Sequence, residues 1–307
     1  MAIRPANVTN LKPLLAAAER GGYAVGSFAP RATAMIRPVL EAGQSLQSPL
    51  IVQISHRELL RHEITPAQFA EAFYQHVAAL NITVPVTLHL DHTKSLPPIQ
   101  EAIAAGFTSV MIDASEKPLE ENIAATCEVV AYAKPLGVSV EAELGRIGTT
   151  DYVETEEDEE LYTDPQEAGY FVRKTGVDAL AVSVGTAHGV YLVRQPKIDY
   201  DRLRAIRAQT DVHLVLHGGS GVPAEMMAGA IRLPGGGVSK VNIATDLEIA
   251  ALAALNREQH LTDAEWNALP PDKLQQAMAA VRHEVEDKIQ NFVRSAGRAA
   301  SSSVSES

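Results

Sequence analysis

The chain has 307 residues, 46% of them hydrophobic and 21% charged, an ordinary composition for a globular protein with a sizeable core. That length suits one barrel of roughly 250 residues or two smaller domains. With 26 basic and 38 acidic residues the net charge is -12, which argues against general binding to nucleic acid or to an anionic membrane surface and leaves room for a local small-anion site.

The first predicted strand runs from Tyr23 to Phe28 and the second from Pro49 to Ser55. Thr65 and Pro66 then cap a helix from Ala67 to Leu80. A third strand, Pro85 to His92, precedes a helix from Leu96 to Ala105 that Gly106 closes. Ser109 to Ala114 is the fourth strand, Leu119 to Ala133 a helix, and Val138 to Gly145 the fifth strand. A helix from Gln166 to Thr175 leads to the sixth strand, Ala179 to Gly185, and a helix over Asp199 to Thr210 leads to the seventh, His213 to Gly219. The eighth strand is Val238 to Thr245, followed by helices over Leu247 to His260 and Asp272 to Ser295. Apolar runs such as Leu50-Ile51-Val52 fit strands covered on both faces. Eight strands alternating with helices give a single-domain (β/α)8 TIM barrel over residues 1–298 with a C-terminal helical extension. The serine-rich residues 299–307 are expected to form a disordered tail. A doubly wound open sheet is disfavoured, because no Gly-x-Gly-x-x-Gly follows the first strand.

The lone cysteine, Cys127, permits no internal disulfide and is expected to be a buried helix residue. No run approaches the ~18 apolar residues of a membrane span, and Lys12, Glu19 and Arg20 break any secretory segment. The expected location is cytoplasmic. Asn7-Val8-Thr9 and Asn81-Ile82-Thr83, which match a glycosylation pattern, are then chance.

Chemistry in such a barrel sits where strands end, and these strand ends are polar. His92, His188 and His217 follow strands three, six and seven. Imidazole suits zinc, and a catalytic zinc keeps three protein ligands and one open position. Three histidines at one rim therefore point to a metal. His62, His76, His260 and His283 fall on helical segments and are expected at the surface, whereas His89 and His213 fall within strands and are expected to be structural. Asp91 precedes His92, so strand alternation would aim the two oppositely; both reach one site only if the chain turns there. Glu141 and Glu143 share one face of strand five. Inward carboxylates need a cation or an ion pair, so these two lie beside the metal or in a buried pair. Gly218, Gly219 and Ser220, with Asn242 and Thr245, form the loops after strands seven and eight, where barrels hold phosphate on backbone N–H groups.

These motifs resemble one family. Leu88-His89-Leu90-Asp91-His92, Ser109-Val110-Met111-Ile112-Asp113, Val140-Glu141-Ala142-Glu143-Leu144-Gly145, Gly185-Thr186-Ala187-His188-Gly189, Leu216-His217-Gly218-Gly219-Ser220-Gly221 and Lys240-Val241-Asn242-Ile243-Ala244-Thr245 are similar, in order, to the class II metal-dependent ketose-bisphosphate aldolases of fructose- and tagatose-bisphosphate type. The resemblance covers about residues 8–298. It implies an enzyme, with Zn2+ or another divalent metal, that cleaves a ketose phosphate into dihydroxyacetone phosphate and an aldehyde. By motif, His92, His188 and His217 would hold the metal. Glu143 would lie near it, supporting a ligand or ligating in an alternate position. Asp91 would carry the proton of the aldehyde-derived hydroxyl. Gly189, Gly218, Gly219, Ser220, Asn242, Ile243, Ala244 and Thr245 would bind the dihydroxyacetone phosphate part. A monovalent cation and a homodimer or homotetramer also fit the family.

The sequence departs from the family at three places. Strand one ends Ser27-Phe28-Ala29-Pro30-Arg31, where the family has Phe-Asn and further asparagines. After strand five only Asp151 or Glu154 offers an equivalent of the family's catalytic loop acid, beside an acid-dense run that ends at Glu160. Leu269-Pro270-Pro271-Asp272-Lys273 lacks the arginine that meets a far phosphate. The distal end of the substrate is therefore expected to differ from fructose 1,6-bisphosphate, with Ser55, Arg31 and His56 as its candidate contacts. A Schiff-base mechanism would need a lysine inside the barrel; Lys240 is discounted as lying at the start of strand eight. A metal-dependent phosphosugar isomerase or epimerase on the same barrel is the alternative reaction, and a non-catalytic sugar-phosphate binder a third reading that the intact histidine set opposes.

Overall fold

The computed structural model describes residues 4–146, 148–149, 162–189 and 196–302, with the backbone alone at 148–149, 188 and 301–302. The strands are β1 (Val25–Phe28), β2 (Leu50–Ser55), β3 (Val86–Thr93), β4 (Ser109–Ile112), β5 (Ser139–Leu144), β6 (Gly148–Thr149), β7 (Ala179–Val182), β8 (Ala187–His188), β9 (His213–Leu216) and β10 (Val238–Ile243). The helices are α1 (Leu11–Gly21), α2 (Ile36–Ser45), α3 (His56–Arg61), α4 (Pro66–Ala79), α5 (Leu96–Ala105), α6 (Leu119–Ala133), α7 (Pro165–Thr175), α8 (Tyr200–Arg207), α9 (Ala224–Ile231), α10 (Thr245–Ala254), α11 (Asp263–Asn267), α12 (Pro271–Asp287) and α13 (Ala299–Ser302).

Eight parallel strands close in the order β1-β10-β9-β7-β5-β4-β3-β2, the expected TIM barrel. The two-residue strands β6 and β8 pair with each other instead, just past the ends of β5 and β7. The predicted strands mostly overrun the observed ones by their polar last residues. Thr245 in particular opens α10 rather than ending a strand. The expected C-terminal helix over Asp272 to Ser295 is α12 followed by a π-turn, Lys288–Phe292. The expected tail begins with α13, and residues 303–307 lie outside the described residues.

Strand alternation sorts the core into two parts. Val52, Leu88, Val110, Ala142, Leu180 and Leu216 face outward and pack with Phe69 and Phe73 of α4 and Phe171 of α7. Val25, Ile51, Met111, Ala179, Ala181 and Val215 face inward and pack on Leu11, Leu14, Leu15 and Ala18 of α1, which plugs the lower mouth. The Leu11 amide donates to Ser139 Oγ at 3.0 Å, fixing that plug to the foot of β5. Above this apolar floor the same inward positions turn polar: Ser27, Gln53, Asp91, Glu141, Glu143, His217, Lys240 and Asn242 are all buried.

His62 departs from the surface position expected of it: it is buried and lies 3.0 Å from Glu58, one helical turn earlier. His89 and His213 are structural, as their strand positions predict. His89 is buried against Ser109 Oγ at 2.8 Å, and His213 pairs with Glu19 at 3.0 Å. Cys127 is half-buried rather than buried. Among the described residues no helix is long and apolar enough to cross a membrane.

The C-terminal helices close the barrel's side where α12 packs on α2 and α10. Lys288 Nζ sits 2.6 Å from Asp246 and 3.4 Å from Glu284. Burial opposes its charge, but the Asp246 and Glu284 carboxylates prevail and raise its pKa. The pair's stabilisation is therefore complete below the unfolded lysine value of ~10.4 and is lost as pH rises through the higher folded value. Lys288→Met is expected to cost about 1–3 kcal/mol at pH 8, typical of bonds to charged groups. The deficit should shrink above pH ~11 in denaturant unfolding; an equal deficit at both pH values would refute the assignment.

Candidate active site

The strand alternation explains most of the site, but not His92. Asp91 points inward by parity, so His92 should point out. The chain instead turns between Leu90 and Thr93: the β3–β4 register shifts there, and His92 takes a φ of 35°. A non-glycine residue in this region costs on the order of 1–2 kcal/mol. The turn brings Asp91 and His92 to one cavity, as the sequence required.

There His92 Nε2 faces His217 Nδ1 at 2.9 Å, with the rings nearly perpendicular. The outer nitrogen of each ring meets a carboxylate. His92 Nδ1 is 3.0 Å from Asp113, and His217 Nε2 is 2.8 Å from Glu141. Each carboxylate accepts the outer N–H, so the inner nitrogens share a proton that a bound metal would displace, the usual arrangement behind histidine metal ligands. Glu143 Oε2 lies 3.6 Å from His217 Nδ1 and is buried without a hydrogen bond, while Glu143 Oε1 accepts from Ser115 at 3.2 Å. Asp91, His92 and His217 bring their ligand atoms together, as do His92, Asp113 and Glu143. The donor set fits a divalent metal on the strength of these paired inner nitrogens and the orphan carboxylate oxygen. His188 is in β8 at the same end, and its side chain lies outside the described residues, as do Asp151, Glu154 and the acidic run.

The electrostatics follow from burial among mixed charges. Burial and the nearby Asp113 push Glu143 up to about 8. Burial opposes the charge of His92, yet Asp91, Asp113 and Glu143 together raise it to about 10. Burial lowers His217. Burial opposes the ionised form of Asp91, but His92, His89, His217 and Lys240 hold it well below the usual carboxylate range.

Asp91 is held by two amides. Gln53 Nε2 donates to Oδ2 at 3.1 Å and Asn242 Nδ2 to both oxygens at 3.3 Å. Ser27 in turn donates to Gln53 Oε1, and Lys240 Nζ donates to Asn242 Oδ1 at 2.8 Å. Lys240 is thus not remote from the site: it is fully buried inside the barrel and also pairs with Glu141 at 2.8 Å. A lysine's reach matches the roughly 6.7 Å spanned by two strand residues, so its ammonium lies level with Asn242. Gln53 and Asp113 were not singled out from sequence. Their inward parity with Ser55 and Met111 was the available signal.

The cavity has a volume of about 660 Å³ and is lined by Asp91, His92, Gly189, Gly218, Ser220, Asn242, Ala244 and Thr245 at one end. Ser220 Oγ accepts from the Ala244 and Asp246 amides at 3.4 Å each, tying the loop after β9 to the start of α10. Gly219 and Ile243 lie behind this wall, with Ile243 in the outer core. At the other end are Arg31, Ser55, His56, Arg57 and Arg61. Ser55 Oγ is engaged in capping α3, accepting from the Glu58 amide at 3.1 Å. Arg31 is drawn into ion pairs with Glu248 and, at 3.6 Å, Glu58. Burial lowers its pKa while Glu58 counters.

Comparison with known proteins agrees with this geometry. The family model of class-II fructose-bisphosphate aldolase matches residues 9–298. The fructose-bisphosphate aldolases of Staphylococcus aureus (strain N315) and Staphylococcus epidermidis (strain ATCC 12228) are each 38% identical over 296 residues, 93% of this chain and 97% of theirs. The crystal structure of the YdjI aldolase from Escherichia coli K12 superposes with a TM-score of 0.80 at 31% identity, covering 95% of this chain and 99% of that one. A putative fructose-1,6-bisphosphate aldolase from Coccidioides immitis gives 0.75 at 29% identity, covering 94% and 97%. A metal-ready histidine pair at the mouth of a parallel barrel, and relatives aligned along nearly the whole chain, place this protein in the class II fructose-bisphosphate aldolase family, as a metal-dependent aldolase and so a carbon–carbon lyase.

Proposed function

We propose that the chain cleaves a ketose phosphate into dihydroxyacetone phosphate and an aldehyde, and forms the same bond in reverse, with Zn2+ as its metal. The observation that carries this reading is the facing pair of His92 Nε2 and His217 Nδ1, each backed by a carboxylate, beside the amide-held Asp91. His92, His217 and, by its motif, His188 would hold the metal, with Glu143 beside them. When bound, the metal supplies a Lewis acid for the negative charge left as the carbon–carbon bond breaks. The Asp91 carboxylate accepts the proton of the hydroxyl whose carbon becomes the aldehyde. Gln53 and Asn242 keep that carboxylate aimed and unprotonated. Gly189, Gly218, Ser220, Ala244 and Thr245 would surround the phosphate, with Gly219 and Ile243 setting the wall behind them, and α10 begins there with the positive end of its dipole. Ser55, His56 and Arg31 stand at the far end and shape the distal group. A single barrel unit over residues 1–298, a bound monovalent cation, a cytoplasmic location and a homodimer or homotetramer belong to the same reading; the unit rests on the strand count, the location on the lone Cys127, and the cation and the oligomer on the resemblance.

The decisive measurement is triose phosphate release from a panel of ketose phosphates, with and without chelator. Release that chelator abolishes and Zn2+ restores is expected; no triose from any substrate by metal-loaded protein would overturn the reading, isomerisation without cleavage included. His217→Ala should lose bound metal and activity together. Asp91→Asn should keep metal and lower kcat by about 10²–10⁴, the usual contribution of a proton-transfer group. Gly218→Ala tests the phosphate wall: Gly218 has a φ of 65°, and a Cβ there would meet Ala187 O at 2.3 Å. The left-handed backbone alone costs about 1–2 kcal/mol, so a lower melting temperature and a raised KM are expected, and wild-type values for both would refute the placement.

A further inference from the structure

The polar groups behind Asp91 have fixed directions. An ammonium can only donate, so the Asn242 atom 2.8 Å from Lys240 Nζ is the carbonyl oxygen. An ionised carboxylate can only accept, so the atom facing Asp91 is the Asn242 NH2. The two assignments agree, and they leave that amide one orientation. Glu141, 2.8 Å away, is the counter-charge paired with Lys240 where water does not reach.

We infer that Lys240 is a positioning residue for the aldol reaction: by donating to Asn242 Oδ1 it locks the Asn242 amide with its NH2 toward Asp91 and the substrate. This rests on the proposed function for its kinetic consequence, and on the geometry alone for the amide. Without the ammonium, Oδ1 would be a buried acceptor lacking a donor, and the amide would be anchored only on its Asp91 side. An amide held at one end aims its donors less well at Asp91 and at a substrate oxygen in the cavity that Asn242 lines. The matching amide on the other side, Gln53, is locked by the Ser27 hydroxyl, so loss of Lys240 loosens one of Asp91's two supports and leaves the other.

Lys240→Met alone strands Glu141 as an unpaired buried carboxylate and risks misfolding. The variant to measure is therefore Lys240→Met with Glu141→Gln, which removes both charges and leaves the glutamine oxygen to accept from His217. Loaded with Zn2+, it should bind wild-type amounts of metal and melt within a few degrees of wild type. Measured against Glu141→Gln alone, its kcat should fall by about tenfold to a hundredfold, as for other supporting groups around metal sites, with KM for the ketose phosphate changed by less than about threefold. In an Asn242→Ala, Glu141→Gln background, adding Lys240→Met should change kcat by less than about twofold, because the group Lys240 acts through is gone. A two-site variant with the kcat of Glu141→Gln alone, or an equal loss in both backgrounds, would overturn the inference. One readout needs no substrate: the Asn242 side-chain amide signals in a proton–nitrogen correlation spectrum of the Zn2+-loaded protein should shift and lose exchange protection in the two-site variant. Unchanged signals would overturn the positioning role even if the chain proved to cleave no ketose phosphate.

Discussion

A closed barrel gives its inward side chains nowhere to go. Every second residue of eight strands enters one dry column, and in this chain the upper layers of that column carry Asp91, Glu141, Glu143 and Asp113. The ion pair of Lys240 with Glu141 is the interaction on which the rest depends. It compensates a carboxylate at the centre of the column and leaves that carboxylate ionised, held down to about 2 by Lys240 and by the His217 and His89 rings against the opposing effect of burial. An ionised Glu141 then accepts from His217 Nε2, and this turns His217 Nδ1 toward His92. The same ammonium orders Asn242 and, through it, Asp91. Buried ion pairs are poor sources of net stability, because desolvation offsets most of the attraction. What this one contributes is direction: it converts a set of rotatable polar groups into one arrangement.

The second constraint is local. Strand alternation can deliver Asp91 or His92 to the column, not both, and the chemistry needs both. The chain accepts a positive φ at His92 and a slipped register against β4. The Thr93 carbonyl oxygen is then caught by the Asp113 amide at 2.8 Å, so pairing resumes directly after the irregularity. Asp113 closes the same turn from the side chain, holding His92 while Ser115 donates to its other oxygen at 2.7 Å. The strain is thus confined to one residue and braced by the neighbouring strand, a common way for an active site to keep an unfavourable backbone.

Sequence patterns made the barrel legible because parallel strands buried on both faces read as apolar runs with polar ends. The eight strands fall where Leu50-Ile51-Val52 and Leu214-Val215-Leu216 would place them. Helices with clear caps were equally visible, as with Thr65-Pro66 before α4. Helices α1 and α2 were not, since Pro13 and Pro38 sit inside their first turns, where proline is tolerated but blurs the pattern. At six residues α3 is too short to show a period. The site was legible wherever a side chain acts at its own strand end, as with His217 and Asn242. It was not legible where a long side chain acts two residues away. Lys240 looked remote because its position was judged at Cα, although its ammonium sits some four carbons further on. Arg31 looked available for substrate for the converse reason: nothing in the sequence between them reveals that Glu248, far along the chain, folds back against it.

The two ends of the cavity are consequently built from different materials. The end proposed for the phosphate is backbone, glycine and small hydroxyl groups fixed by strand ends and by the start of α10, with little side-chain freedom to lose on binding. The far end is made of long charged side chains that already satisfy one another: Arg31 with Glu58 and Glu248, Glu58 with His62, and His260 with Glu248. A ligand group entering there meets existing ion pairs and, at Arg31 Nε, a buried donor without a hydrogen bond, so its discrimination depends on which pairs it rearranges. That division also explains how a chain of net charge -12 accommodates an anion. At the proposed phosphate end, attraction would come from N–H dipoles at short range, which the overall charge, screened beyond about 8–10 Å, would scarcely oppose. Because Arg31, Glu58 and Glu248 come from the segment after β1, from α3 and from α10, substitutions there would reshape that side of the cavity without disturbing the column below.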